Sequence, residues 1–151
     1  ELRHHPAAMT LDLKARSIRT LAWLGDVEFE REVRRRLVAR GDYPTDRLDA
    51  VKALVVRAES QAALLAGIEG ELDEAELGVV RRARNATPRA SSRSQRSTKD
   101  YRAATALEAL IAHWAFGDPR GAERFSVLVE PAIEAAIDAA LAQAGSRIRR
   151  G

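Results

Sequence analysis

Two acidic residues stand inside otherwise apolar helical sequence. Asp26 directly follows Gly25, and Glu108 is flanked by Leu107, Ala109 and Leu110. An unpaired carboxylate in apolar surroundings is costly, so such groups are usually paired or bound to a cation. If the two helices pack in one core, the acids meet. Mg²⁺ takes hard oxygen ligands and keeps several waters, so two carboxylates suit it as a protein ligand set. The plain alternative is a pair of solvated helix-surface acids. Glu28 and Glu30 are nearby candidates for a supporting carboxylate, or simply parts of a solvated face.

A cationic segment lies between these acids in the chain. Arg81, Arg82, Arg84, Arg89, Arg93, Arg96 and Lys99 occur with no acidic residue among them. The other 18 of the 25 basic residues face 22 acidic ones, so the net charge of +3 comes from this one segment. A localised basic stretch of this kind is the footprint of a polyanion contact. It could also be a solvated linker that happens to be basic. Thr87 to Thr98 holds a proline, several serines and no large apolar side chain, which predicts an exposed, mobile loop.

The elements that position these residues read as helices. Ile18, Leu21, Gly25, Phe29, Val33 and Leu37 recur at steps of three or four, predicting a helix from Leu11 to about Arg40 that ends at Gly41 and Tyr43-Pro44. Leu48, Val51, Val55, Ala58, Ala62 and Leu65 predict a second helix after Thr45, closed by Gly67 and Gly70. A short helix follows from about Asp73 to Arg84. Another begins near Tyr101, carries Leu107, Leu110, Ile111 and Trp114, and stops at Gly117-Asp118-Pro119. The last runs from about Ala122 to Gln143, before a basic tail of Arg147, Arg149 and Arg150. Trp114 and Phe125 read as core. No repeat and no alternating strand pattern is present. Ala and Leu dominate, aromatics make up 5% of the chain and apolar residues 46%, which favours an all-α single domain.

The composition also excludes some classes. With no cysteine, disulfides and thiolate metal sites are ruled out. His4, His5 and His113 show no ligand spacing. No apolar run approaches the ~20 residues of a membrane span, and residues 1–10 hold no apolar signal core. The expectation is a cytoplasmic protein, or one of an organelle stroma, without a membrane partner.

Four stretches, in order, resemble a known family. Leu24-Gly25-Asp26 within Leu21–Glu30 looks like the signature helix of ribonuclease III domains, and Glu108-Ala109-Leu110-Ile111 within Ala104–Ile111 looks like the family's second motif. Asp49–Ala62 and the Arg-rich Val79–Ala86 are similar to segments of the short branch, Mini-ribonuclease III. The resemblance covers roughly Leu13 to Phe116. It implies the helical bundle of a ribonuclease III endonuclease domain over residues 11–121, with the basic loop at about 86–99 inside it; the residues themselves add a flexible N-terminus at 1–10 and a C-terminal helix and basic tail at 122–151, which lie beyond the matching region. It further implies an Mg²⁺-dependent endoribonuclease that cleaves double-stranded RNA as a homodimer, leaving 5′-phosphate and 3′-hydroxyl ends. The expected substrate is a ribosomal RNA precursor. Asp26 and Glu108 match the catalytic, metal-holding carboxylates. The dimer would pair along the signature helix through Leu21, Trp23, Leu24 and Phe29, with Trp23 either an interface anchor or a core tryptophan.

The family's longer members carry two further acids, where this sequence has Ala22 and Thr105. They also carry a separate double-stranded-RNA-binding domain. Here the nuclease domain is expected to hold RNA itself, through Arg81, Arg82, Arg84, Asn85, Arg89, Arg93, Arg96 and Lys99. Duplex RNA is read mainly by shape, through phosphates and 2′-hydroxyls, so affinity would fall steeply with salt. Two other readings stay open. One is a non-catalytic, ribonuclease III-like RNA-binding or ribosome-associated protein. The other is a helical dimerisation module whose motifs match by chance.

Overall fold

The computed structural model describes residues 11–86 and 95–148. Those residues form seven α-helices and two single 3₁₀ turns, with no strand. The helices are α1 (Ile18–Arg40), α2 (Thr45–Val56), α3 (Ala58–Ile68), α4 (Glu74–Ala86), α5 (Gln95–Phe116), α6 (Gly121–Leu128) and α7 (Glu130–Ile148).

Helix α5 is the centre of the bundle. Ala103, Ala106, Leu107, Ala109, Leu110, Ile111, Ala112 and Trp114 are all buried, so apolar side chains cover most of its circumference. A helix apolar nearly all round must be enclosed by others. Helices α1, α3 and α4 pack directly on it. The many alanines let these neighbours come close. From α1 the buried residues are Leu21, Ala22, Gly25, Phe29, Val33 and Leu37, one stripe at helical spacing.

Local chemistry corrects three of the expected boundaries. Helix α1 starts at Ile18 rather than Leu11, because the Ser17 side chain accepts a hydrogen bond from the Thr20 N–H at 3.1 Å and caps it. A 3₁₀ turn, Leu13–Ala15, precedes it. The expected second helix is two, because Arg57 is extended (ψ 156°). Ser60 Oγ donates to the Leu54 carbonyl at 2.6 Å and Gln61 Nε2 to the Val56 carbonyl at 2.8 Å, satisfying acceptors that the break frees. The last expected helix is also two. Pro131 has no N–H to continue an unbroken helix and sits instead in the first turn of α7. Ile133 and Ile137 of α7 are fully buried in the common core. On the surface, Arg40 donates to Asp138 at 2.6 Å, and Arg36 pairs with Glu130 at 2.6 Å, tying α7 to α1.

Glu76 is the one fully buried acid among the described residues, and its role had no forecast from the sequence. Asp73 and Glu76 form a reciprocal cap at the start of α4, each side chain accepting the other's N–H at 2.9 Å. Glu76 Oε2 also accepts from Trp114 Nε1 at 2.6 Å and from Arg124 Nε at 2.9 Å. One carboxylate thus links α4, α5 and α6. Replacing Glu76 by Ala strands the Arg124 and Trp114 donors, and is expected to cost about 3 kcal/mol or more in denaturant unfolding.

Candidate active site

Helices α1 and α5 cross where Gly25 meets Glu108. A Cβ built on Gly25 would lie 1.7 Å from the Glu108 carbonyl oxygen, so the backbones touch with no room for a side chain. The next residue in α1 is Asp26. Its carboxyl and that of Glu108 open onto one cleft of about 330 Å³, lined by Arg19, Ala22, Trp23, Asp26, Tyr101, Thr105 and Glu108. The crossing therefore brings together the two acids singled out by the sequence.

Their electrostatics are those of an uncompensated pair. Among the described residues neither Asp26 nor Glu108 has an ion-pair partner within 4.0 Å. Burial, reinforced by the charge of Asp26, pushes the Glu108 carboxyl up to about 7, against a hydrogen bond from Gln61 that pulls it down. Asp26 is also raised, by partial burial and then by Glu30, with Lys52 opposing. Glu30 itself is engaged by Arg34 at 3.0 Å and Lys52 at 3.3 Å. Glu28 lines a different groove, so neither supporting acid enters the cleft. No group of three or more potential ligands occurs among the described residues.

A stability consequence follows. The folded Glu108 carboxyl keeps its proton up to about 7, whereas its ordinary value is 4.5. Between those values the folded state binds more protons than the unfolded one, so stability falls as pH rises. The metal-free protein is expected to melt at a lower temperature at pH 8 than at pH 5, and Glu108→Gln should flatten that slope. A melting temperature that climbs with pH over this window, in the parent protein, would contradict a buried Glu108 carboxyl that holds its proton towards neutral pH.

The remaining candidate residues are dispersed. Thr105 donates its hydroxyl to the Tyr101 carbonyl at 2.9 Å, in the manner of a helix-interior threonine. Arg81, Arg82 and Asn85 are exposed on α4. Arg81, Arg84 and Asn85 line a separate hollow with Glu69, and Arg84 is held by Glu69 at 2.7 Å. Arg89 and Arg93 lie outside the described residues. Arg96 and Lys99 belong to the first turns of α5 and not to a loop, since α5 starts at Gln95. Leu21 and Phe29, expected at a dimer interface, are buried in the core at 5% and 0% exposure. Leu24 is half-buried. Trp23, in contrast, is 75% exposed and Val27 60% exposed, one turn apart on α1. Three residues of the site went unnoticed in the sequence: Arg19 and Tyr101 in the cleft, and Gln61 behind it.

The Ribonuclease III domain family matches residues 19–118, which takes in α1 through α5 and both acids. This chain belongs to the ribonuclease III family. Among ribonuclease III relatives, the Mini-ribonuclease 3 of Desulfitobacterium hafniense is 42% identical over 95 residues, covering 63% of this chain and 59% of that protein. The chain thus spans under two thirds of that relative's length. The Mini-ribonuclease 3 of Symbiobacterium thermophilum is 36% identical over 76% of this chain and 86% of its own length. That of Brevibacillus brevis is 40% identical over 62% and 69%. A crystal structure of a Fusobacterium nucleatum protein superposes with a TM-score of 0.59 at 26% identity, over 89% of this chain and 98% of that one. The resemblance to the short branch of ribonuclease III therefore holds, as does the all-α fold. No helix among the described residues is long and apolar enough to cross a membrane.

Proposed function

We propose that this chain is an Mg²⁺-dependent endoribonuclease that cuts double-stranded RNA as a homodimer. The observation that carries this reading is the Gly25–Glu108 crossing, which sets two like-charged carboxylates beside one open cleft with no cationic partner among the described residues. Oxygen-only donors suit Mg²⁺, and a divalent ion is the counter-charge the pair lacks. Asp26 and Glu108 would hold it. Bound there, Mg²⁺ would supply an activated water and stabilise the leaving 3′-oxygen of a phosphodiester. Arg19, exposed at the cleft, is placed to meet a phosphate. Arg81, Arg82 and Asn85 on α4, with Lys99 on α5 and the residues between, would grip the backbone away from the reacting bond.

One such site cuts one strand, so a two-fold dimer is the economical way to cut both strands of a duplex. Trp23 and Val27 offer the exposed apolar contact on α1 that such a dimer needs. By family resemblance the proposed substrate is a precursor of large-subunit ribosomal RNA, met in a bacterial cytoplasm or an organelle stroma.

The absence of acids at Ala22 and Thr105 favours the second reading, a non-catalytic RNA-binding relative. Incubating the protein with a long RNA duplex, in Mg²⁺ or in chelator, separates the two. The proposal expects Mg²⁺-dependent fragments with 5′-phosphate and 3′-hydroxyl ends. RNA that is bound but left intact in Mg²⁺ would establish the second reading instead.

A further inference from the structure

We infer that Gln61 is a positioning residue for Glu108, holding one carboxylate oxygen with a neutral donor so that the other stays free for a cation. The inference rests on the reading of Asp26 and Glu108 as metal ligands. Gln61 lies on α3, only 2% exposed, turned towards α5 by the break at Arg57. Its Nε2 donates to the Val56 carbonyl at 2.8 Å and to Glu108 Oε1 at 3.2 Å. An amide nitrogen has two hydrogens, and each acceptor takes one. Reversing the amide would set its oxygen between two acceptors, so the orientation is determined by its surroundings. Glu108 Oε2 has no hydrogen bond among the described residues, which leaves it available to the cleft.

Two further features argue that Gln61 does more than seal the helix break. Ser60 already secures the break through the Leu54 carbonyl at 2.6 Å. Meanwhile Gln61 Oε1 is buried with no donor among the described residues. A buried orphan acceptor destabilises the fold, and an apolar side chain would avoid it. What an apolar side chain lacks are the two N–H donors, one to the Val56 carbonyl and one to Glu108, and only the second reaches a residue of the cleft. A Lys or Arg could also donate, but its charge would discharge the carboxylate and compete with a cation for it. Gln orients without neutralising. Partners that orient a ligating carboxylate typically change metal affinity by about 10–100-fold when removed.

The test is a calorimetric titration of the RNA-free protein with Mn²⁺, used as a probe for Mg²⁺. Gln61→Leu is expected to raise the Mn²⁺ Kd by about tenfold or more. It should also lower kcat at limiting Mg²⁺, leave KM for duplex RNA unchanged, and recover as Mg²⁺ is raised. Ser60→Ala, which touches the same helix break but not Glu108, should leave Mn²⁺ binding as in the parent. Gln61→Met serves the same purpose if the leucine variant does not fold. A parent-like Mn²⁺ Kd in the Gln61 variant, or an equal loss in Ser60→Ala, overturns the inference while the metal site stands. A parent protein that takes up no Mn²⁺ overturns the metal site itself, and this inference with it.

Discussion

Asp26→Asn and Glu108→Gln are each expected to reduce cleavage of duplex RNA by about a thousandfold or more, with helicity unchanged. The magnitude follows from what a bound divalent ion contributes: several kcal/mol of charge stabilisation in the transition state, at tenfold in rate per ~1.4 kcal/mol. Either amide keeps the shape of the side chain but removes an anionic ligand. The same substitutions should raise the melting temperature of the metal-free protein. Asp26 and burial both disfavour the charged form of Glu108, and an amide relieves that repulsion. Loss of activity with gain of stability is the signature of residues held for chemistry rather than for folding. Single-turnover cleavage together with thermal melts, with and without Mg²⁺, reads both. Activity surviving either change would remove that residue from the site.

Gly25→Ala is expected to be among the most damaging small substitutions at the described residues, matched in crowding by Gly121, whose added methyl would lie 1.7 Å from the Trp114 carbonyl oxygen. At Gly25 the added methyl would sit 1.7 Å from the Glu108 carbonyl oxygen and 2.5 Å from its carbon. Both are backbone atoms, so nothing flexible can yield. Restoring a contact of ~3.5 Å requires α1 and α5 to part, which loosens the core around Phe29, Leu107 and Leu110 and separates the two carboxyls. A cost of about 3 kcal/mol or more is expected, with cleavage lost in the fraction that still folds. Gly67 is the control. It sits in α3 with nothing within 4 Å of its Cβ position, so Gly67→Ala should stabilise by about 0.5–1 kcal/mol. Urea unfolding of the two variants checks the pair. A Gly25→Ala protein as stable as the parent would mean that the helices do not cross there.

What could be read from the sequence was local in origin. The spacing of Leu21, Gly25, Phe29, Val33 and Leu37 specifies both the helix and its buried side, and the short motifs around Asp26 and Glu108 mark the two acids. Leu21 and Phe29, two of the four residues expected at an interface, are instead core residues, on periodicity that was already present. Leu21, Gly25 and Phe29 repeat every four residues on the core side, while Trp23 and Val27 repeat every four residues on another stripe. The break at Arg57 was hidden because the apolar spacing of Val55, Ala58, Ala62 and Leu65 runs through it. It depends on the side chains of Ser60 and Gln61 taking over backbone acceptors. Glu76 shows the other limit. Asp73 and Glu76 have the spacing of a helix cap, yet nothing in that spacing announces that Trp114 and Arg124 converge on the same carboxylate. Tertiary partners distant in the chain are not encoded in a window of a few residues. For the same reason the cleft's Arg19 and Tyr101 escaped notice, since each is unremarkable among its chain neighbours.

The measurement that bears most directly on the proposed site is anomalous scattering from a crystal of the protein grown with Mn²⁺ in place of Mg²⁺. One strong peak is expected between the Asp26 and Glu108 carboxylates, at about 2.1 Å from an oxygen of each. Mn²⁺ bound elsewhere on the molecule, with those carboxylates turned apart and no density between them, would contradict it.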